Sequence, residues 1–139
     1  MAISRQTIKG LEIVDYELAK LAKQIGFDYP TFHSYHNQML RFNPLANHNK
    51  QKHFISAPFL SQLQGWLRDK KLMEIFIINH KYNYNDKKYY YKIKNSHVVY
   101  GNDKYITGSA TYNEMLSNAL KIEIKKLIRL KKDNEKYNY

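Results

Sequence analysis

The chain is 139 residues long, which suits one domain with a single core, and its 43% apolar content is typical of a folded protein. Its 23 Lys and Arg outnumber its 12 Asp and Glu, and the net charge of +11 favours anionic partners such as nucleotides and nucleic acid. The absence of cysteine excludes disulfides, thiolate nucleophiles and Cys-ligated metals, and no apolar run is long enough to cross a membrane.

The first element with a clear pattern is an amphipathic helix predicted over residues 14–25. Its apolar residues recur at helical spacing, Asp15 is a suitable N-cap, and Gly26 stands where helices commonly end. Beyond it, residues 31–37 are compatible with a strand. Residues 43–52 (NPLANHNKQK) are typical of an exposed loop, which we expect to form a lid over a binding site.

A second helix is predicted to begin at Ser56, its N-cap, with Pro58 in the first turn. Trp66 belongs to the apolar stripe of this helix, so it either packs in the core or serves as a stacking platform for a ligand. Arg68, on the polar side, can clamp a phosphate or pair with a nearby acid. Gly65 lies inside the helix, where we expect it to permit close packing beneath the strands that follow.

Residues 73–94 predict the central hairpin of the fold. The first arm, MEIFIINH, is almost continuously apolar, as in a strand covered on both faces, and the Asn- and Asp-rich residues 83–86 favour a turn. The second arm, KKYYYKIK, alternates with the period of a strand. This alternation assigns one set of side chains to the core: Tyr89, Tyr91 and Ile93. The other set faces outward: Lys88, Tyr90, Lys92 and Lys94.

The C-terminal part predicts a short hairpin over residues 97–107 and a last helix over residues 112–130, where Thr111 and Glu114 match a capping box. The helix has a wide apolar arc and an opposing basic ridge, which consists of Lys121, Lys125, Arg129 and Lys132. Because the arc is wider than one small sheet needs, we expect part of it to bury against a second copy, in a homodimer or higher homo-oligomer.

Together these elements predict an α+β fold in which a small antiparallel sheet of three to five strands packs against two or three helices. Residues 1–130 are expected to form a single domain, and residues 131–139 (KKDNEKYNY) a disordered basic tail.

Catalytic and metal signatures are weak in this sequence. The five glycines form no phosphate-binding loop, and the dispersed acids indicate no paired carboxylates. The spacing of the six histidines, as in His33 and His36, does not match a zinc motif. We therefore predict a non-enzymatic protein with no metal and no cofactor. A site assembled from histidines distant in sequence, as in a His-based phosphodiesterase, is the open alternative.

The strongest positive feature is the interleaving of lysine and tyrosine in the second arm of the central hairpin. Tyrosine rings can stack on bases while lysine neutralises phosphate, which predicts a site for nucleotides or single-stranded nucleic acid. The alternative is a half-exposed strand in which tyrosine supplies β propensity and lysine prevents edge pairing. The candidate ligand-binding residues are Lys88, Tyr90, Lys92 and Lys94 on the strand, Trp66 and Arg68 on the second helix, and His33 and Tyr35, which are expected to close over the ligand.

Three segments, taken in order, resemble a family of small proteins frequent in bacteriophages and mobile elements of Bacteroidetes-type hosts. They are LAKQIGF (21–27), APFLSQLQGWLRDK (57–70) and TYNEMLSNAL (111–120). In that family the middle segment tends to be A-P-T-Q-x-x-L-Q-x-W-L-R. Here Phe59 and Leu60 replace its Thr-Gln, and Met115 stands where a small residue is common. The resemblance implies an α+β fold and a phage context, in which small proteins of this kind resemble sponges for cyclic nucleotide immune signals.

The residues and the resemblance together predict a cytoplasmic, non-catalytic anti-defence protein that binds and sequesters an anionic nucleotide-like ligand, such as a cyclic oligonucleotide signal. One alternative is a nucleic-acid-binding accessory protein that uses the hairpin lysines and the basic ridge. Another is an inhibitor that binds a host protein through its aromatic surface. No membrane partner is expected.

Overall fold

The computed structural model describes residues 9–84, 87–95 and 111–137. Their helices are α1 (Tyr16–Gln24), α2 (Leu60–Lys71) and α3 (Tyr112–Tyr137), and a short 3-10 helix covers His48–Lys50. Their strands are β1 (Thr31–His36), β2 (Met39–Ala46), β3 (Ile55–Ser56), β4 (Met73–Tyr84) and β5 (Lys87–Asn95). The strands form two antiparallel sheets, one in the order β2-β1-β3 and one of β4 and β5. The predicted α+β class is confirmed.

The chain divides into two compact units. The first unit comprises Met1–Ile13 and Phe59–Ala119, and the second comprises Val14–Pro58 and Leu120–Tyr139. Helix α3 contributes its first residues to the first unit and the remainder to the second.

The first unit contains the predicted central hairpin, formed by β4 and β5. Its register places Ile75 opposite Ile93 and Ile77 opposite Tyr91, and Ile75 and Tyr91 are 1% and 2% exposed. Helix α2 lies against β4 and is tied to it by the side-chain amide of Gln64, which donates to the carbonyl of Ile75 over 2.7 Å. These contacts confirm the hairpin and its buried face; turn residues 85–86 lie outside the described residues.

The expectation that β4 is covered on both faces is wrong. Phe76, next to the buried Ile75, is 42% exposed. In the first part of β4, Met73 and Ile75 are thus buried while Phe76 is exposed, because alternate side chains of a strand point to opposite faces of the sheet.

Helix α2 begins later than predicted, because backbone groups replace the expected side-chain cap. Ser56 is not the N-cap; it is buried in β3, opposite Ser34. At the actual start, the N–H groups of Leu60 and Ser61 donate to the carbonyls of Glu12 and Gly10 over 2.8 and 2.9 Å. The segment before α1 thus satisfies amides that a capping side chain would otherwise have to bind.

Gly65 does not serve close packing beneath the hairpin. Among the described residues, a Cβ at this position would meet one neighbouring heavy atom within 4 Å, in the flexible guanidinium of Arg68 at 3.4 Å. The glycine is therefore not required by the surroundings of α2.

In the second unit, α1 has the predicted N-cap and is slightly shorter than the predicted range of 14–25. The Asp15 carboxylate accepts a hydrogen bond from the N–H of Leu18 over 2.9 Å, and Gly26 has a φ of 90°, a left-handed conformation that glycine adopts without strain. The hydroxyl of Tyr35 in β1 donates to the carbonyl of Val14 over 2.8 Å, and its ring packs edge-on against Tyr16. These contacts hold β1 close to the start of α1.

The segment predicted as an exposed lid loop is instead ordered structure. Strand β2 covers its first part and the 3-10 helix its second. The ammonium of Lys23 on α1 donates to the carbonyls of Gln51 and Phe54 over 3.0 and 2.7 Å, and the side-chain amide of Asn49 donates to the carbonyl of Phe27 over 2.8 Å. With these bonds in place, residues 43–52 are tied to the rest of the second unit.

Helix α3 has the predicted start and a longer extent. The Thr111 hydroxyl accepts from the N–H of Glu114 over 3.1 Å, as in a capping box. The helix ends at Tyr137 rather than near Leu130, so residues 131–137, expected in a disordered tail, are helical. Three of these seven residues are lysine, a good helix former that needs no apolar contact. The hairpin predicted over residues 97–107 lies outside the described residues.

Candidate functional site

The accessible face of the β4–β5 hairpin brings together part of the predicted site. We call it the outer face; it consists of Glu74, Phe76 and Ile78 of β4 and Tyr90, Lys92 and Lys94 of β5. The register sets Phe76 opposite Lys92, Ile78 opposite Tyr90, and Glu74 opposite Lys94. Phe76 and Lys94 are exposed, whereas Tyr90 and Lys92 are half-buried.

The outer face combines rings with cations on an accessible strand surface. Phe76 of β4 is the register partner of Lys92, and Tyr90 is two residues from Lys92 on β5. A base can stack on such a ring while a phosphate meets the ammonium. At one end of the face, the Glu74 carboxylate opposes Lys94 and reduces the positive potential there. Lys92 is the lysine whose register partner is an exposed ring.

The remaining residues predicted for the first unit are less favourably placed. The backbone of Lys88 lies in β5, and its side chain is outside the described part of the chain. Trp66 is 3% exposed, which leaves almost no ring surface for a base, and the Lys71 ammonium lies 5.6 Å from its ring centroid. Arg68 is exposed, with its Nε 3.3 Å from the carboxylate of Asp69, so its charge is partly countered by a neighbour.

His33 and Tyr35 belong to the second unit and lie in β1. Neither is on a loop: Tyr35 is fixed by its bond to the Val14 carbonyl, and the His33 ring packs edge-on against Phe42 with centroids 5.3 Å apart. Burial raises the pKa of the Tyr35 hydroxyl, and the negative charge of Asp15 adds to the effect. The phenol is therefore neutral at physiological pH and acts as a hydrogen-bond donor.

The predicted basic ridge on α3 is partly neutralised within the second unit. The Lys121 ammonium forms ion pairs with Asp15 and Glu17, and the Lys125 ammonium lies 3.1 Å from Glu17. The hydrogen bond from Lys125 and the nearby charge of Lys121 lower the pKa of the Glu17 carboxyl. Burial lowers the pKa of Lys121, but its hydrogen bond to Asp15 and the charges of the two acids outweigh burial and raise it overall. Lys121 and Lys125 are thus committed to contacts with α1, which reduces what the ridge offers to phosphate.

Sequence reasoning did not identify an aromatic cluster on the β1–β2 hairpin. Phe32 and Phe42 are stacked with centroids 5.9 Å apart and ring planes 7° apart, and they are 47% and 75% exposed. His33 completes the cluster against Phe42. The cluster depends on β2, whose first half was not assigned from the sequence and whose second half was predicted as loop; the apolar residues of MLRF were its signal in the sequence.

Two further histidines of the second unit, His48 and His36, make contacts that stabilise the fold. The His48 ring is buried and its Nε2 lies 3.0 Å from the carbonyl of Thr31, while the His36 ring stacks on Phe54 with centroids 4.8 Å apart. Within residues 9–84, 87–95 and 111–137, no group of three or more His, Asp or Glu side chains is arranged to hold a metal ion.

Comparisons with known proteins return no match, whether to family models, to curated proteins or to solved structures. None of the helices in the described part of the chain is long and apolar enough to cross a membrane. The functional argument therefore depends on the chemistry of the surfaces above.

Proposed function

We propose that this protein is a non-catalytic binder of anionic, base-containing ligands, and that it acts by sequestering a nucleotide-type ligand such as a cyclic oligonucleotide signal. The observation that carries the proposal is the outer face of the hairpin, where the exposed ring of Phe76 is paired directly with Lys92 and adjoins Tyr90. An exposed ring beside a cation is what a base and its phosphate require.

The overall charge supports the same ligand chemistry. A net charge of +11 raises the local concentration of polyanions, whichever surface finally binds them. Short cyclic oligonucleotides and single-stranded nucleic acid share bases and phosphates, so both are compatible with the outer face. The basic ridge supports nucleic-acid binding less than its sequence indicates, because Lys121 and Lys125 pair with acids of α1.

The test is a thermal-shift and calorimetric titration of the purified full chain with two sets of probes. One set contains cyclic di- and trinucleotides, and the other contains single-stranded DNA and RNA of 12 nucleotides. A probe present at 100 times its Kd should stabilise the protein by about 2.7 kcal/mol. Saturation at a fixed ratio with a mild salt dependence identifies the small ligand, whereas a steep loss of affinity with salt identifies the nucleic acid.

Two variants locate the binding surface. Lys92→Gln removes the ammonium opposite Phe76, and we expect about a tenfold loss of affinity, as for other charge-assisted contacts. Lys70→Gln removes an exposed charge that belongs to α2 rather than to the outer face and should change affinity less than about twofold. Ligand recovered intact after the complex is heated would support sequestration. Absence of a shift with every probe, or equal losses in both variants, would overturn the proposal.

A further inference from the structure

Strand β2 presents an unusual edge in the second unit. It lies at the outside of the β2-β1-β3 sheet, and no described strand pairs with its other side. Four of its apolar side chains are strongly exposed: Met39 63%, Leu40 45%, Phe42 75% and Leu45 55%. Exposed edges of this kind normally carry lysine or other charges that prevent pairing with another chain, and in β2 the one charged side chain is Arg41.

The turn that precedes β2 determines which of its backbone groups face outward. Asn37 and Gln38 connect β1 to β2 and have φ angles of 52° and 65°, as in a type I′ hairpin turn. In such a hairpin the residues that flank the turn, His36 and Met39, exchange hydrogen bonds, and bonded and non-bonded pairs then alternate. The next pair, Tyr35 and Leu40, is therefore a non-bonded pair.

The alternation assigns the outward N–H and C=O groups to Leu40 and Phe42, which face Tyr35 and His33 across the hairpin in non-bonded pairs. Beyond Phe42 the register with β1 is irregular, and Pro44 has no N–H to donate. The edge that can accept a further strand thus extends from Leu40 to Phe42, with Arg41 between them.

Charge decides what can pair with this edge. Residues 29–68, which include the whole sheet, contain no Asp or Glu. A second copy could use Leu40 and Phe42 of both chains in an antiparallel register centred on Arg41. That register would bring the two Arg41 side chains directly opposite each other in a close, non-bonded pair, which is unfavourable. An acidic side chain at the same position would instead form an ion pair.

We propose that the edge of β2 from Leu40 to Phe42 binds an extended, acidic peptide segment of another protein as an added strand. Backbone bonds to Leu40 and Phe42 hold the segment, an acidic side chain faces Arg41, and apolar residues on either side of the acid pack on Leu40 and Phe42. The edge of β2 shares no residue with the outer face of the first unit, so this inference can be tested separately from the proposed function.

The experiment is amide hydrogen exchange, measured residue by residue by NMR on the full chain. The probes are the peptides acetyl-Thr-Val-Glu-Val-Thr-amide and acetyl-Thr-Val-Lys-Val-Thr-amide, which differ in one charge. In the free protein, the amides of Leu40 and Phe42 should exchange faster than those of Met39 and Arg41, which bond to β1. At ten times its Kd, the glutamate peptide should slow exchange at Leu40 and Phe42 by about tenfold, and the lysine peptide should not.

The variant Arg41→Glu should reverse the preference between the two peptides. Continued protection of the Met39 and residue-41 amides in this variant would show that the hairpin is intact. Equal effects of both peptides, or none, would refute the proposal. If protection of Leu40 and Phe42 in the free protein rises with protein concentration, the edge pairs with a second copy. If only single-stranded DNA or RNA protects these amides, the edge binds nucleic acid. Either result overturns the inference.

Discussion

The two antiparallel hairpins in the described part of the chain, β4–β5 and β1–β2, are stabilised in different ways. In β4–β5, alternate side chains such as Ile75 and Tyr91 are buried, and α2 packs against β4. In β2, every residue except Asn43 is exposed, so the strand is held through backbone pairing with β1, the turn and local side-chain contacts. A strand therefore need not bury a face to be part of a sheet, provided that its neighbour does.

The accessible sides of the two hairpins also differ. The outer face of β4–β5 carries lysine beside aromatic rings, which suits a phosphate-bearing ligand and discourages pairing with another strand. The edge of β2 carries apolar side chains with one arginine, which suits another polypeptide. The two proposals thus give the two units partners of different chemistry, and the stability of each hairpin can be tested separately.

The largest expected effect is the difference between a buried and an exposed apolar residue in the two hairpins. Ile75→Ala should lower the free energy of unfolding by about 2–5 kcal/mol, because it leaves a cavity beneath α2. Phe42→Ala, at a ring that is 75% exposed, should lower it by less than about 1 kcal/mol. Urea denaturation followed by circular dichroism measures both. A loss for Phe42→Ala as large as that for Ile75→Ala would mean that β2 is covered in solution.

The same contrast explains which hairpin could be predicted from sequence. Residues 89–94 place Tyr89, Tyr91 and Ile93 on one side of the strand and Tyr90, Lys92 and Lys94 on the other, and in the fold Tyr91 is buried while Lys94 is exposed. Strand β2 has no such pattern, since MLRFNPLA is exposed on both faces, and Pro44 resembles a loop signal. Its turn, Asn37-Gln38, lacks the glycine that makes a type I′ turn recognisable.

Part of the candidate site was predictable for a related reason. The alternation along β5 was enough to place Tyr90, Lys92 and Lys94 on one face. Phe76 was missed because it stands in an apolar run that gave no indication of its exposed face. The pairing of Lys121 and Lys125 with acids on α1 could not be predicted either, because it joins residues distant in sequence.

The second prediction concerns the turn on which β2 depends. Gln38 adopts a φ of 65°, which is unfavourable for any residue with a Cβ. Gln38→Gly should therefore raise the free energy of unfolding by up to about 1 kcal/mol, the relief of strain exceeding the greater entropy of glycine in the unfolded chain. Urea denaturation again measures the change. A decrease would contradict the type I′ turn, and with it the assignment of outward groups at Leu40 and Phe42.

The third prediction concerns the helix that supports the other hairpin. Gly65→Ala should stabilise the protein by about 0.5–1 kcal/mol, because alanine favours a helix and the added Cβ meets a movable guanidinium group. Gly26→Ala is the matched control and should destabilise, since φ is 90° there. Thermal unfolding of the two variants distinguishes them by opposite shifts in Tm. A destabilised Gly65→Ala protein would show that α2 packs more closely than its described neighbours indicate.

The smallest effect expected is electrostatic and belongs to the second unit. Because Lys125 and Lys121 lower the folded-state pKa of Glu17 below 4.5, the pairing stabilises the protein above pH 4.5, and this contribution is lost as the pH falls through the lower folded pKa. Lys125→Met should lower the free energy of unfolding at pH 7 by less than about 1 kcal/mol, because the pair is exposed, and the difference from the wild type should shrink below pH 4.5.

At alkaline pH the dependence runs the other way: the raised pKa of Lys121 gives a contribution to stability that is complete below pH 10.5 and is lost as the pH rises above it. Urea unfolding at a series of pH values, repeated in 1 M NaCl to screen the charges, measures these differences. A difference between Lys125→Met and the wild type that stays constant from pH 7 to pH 3 would mean that Lys125 stabilises α3 through its apolar stem rather than through Glu17.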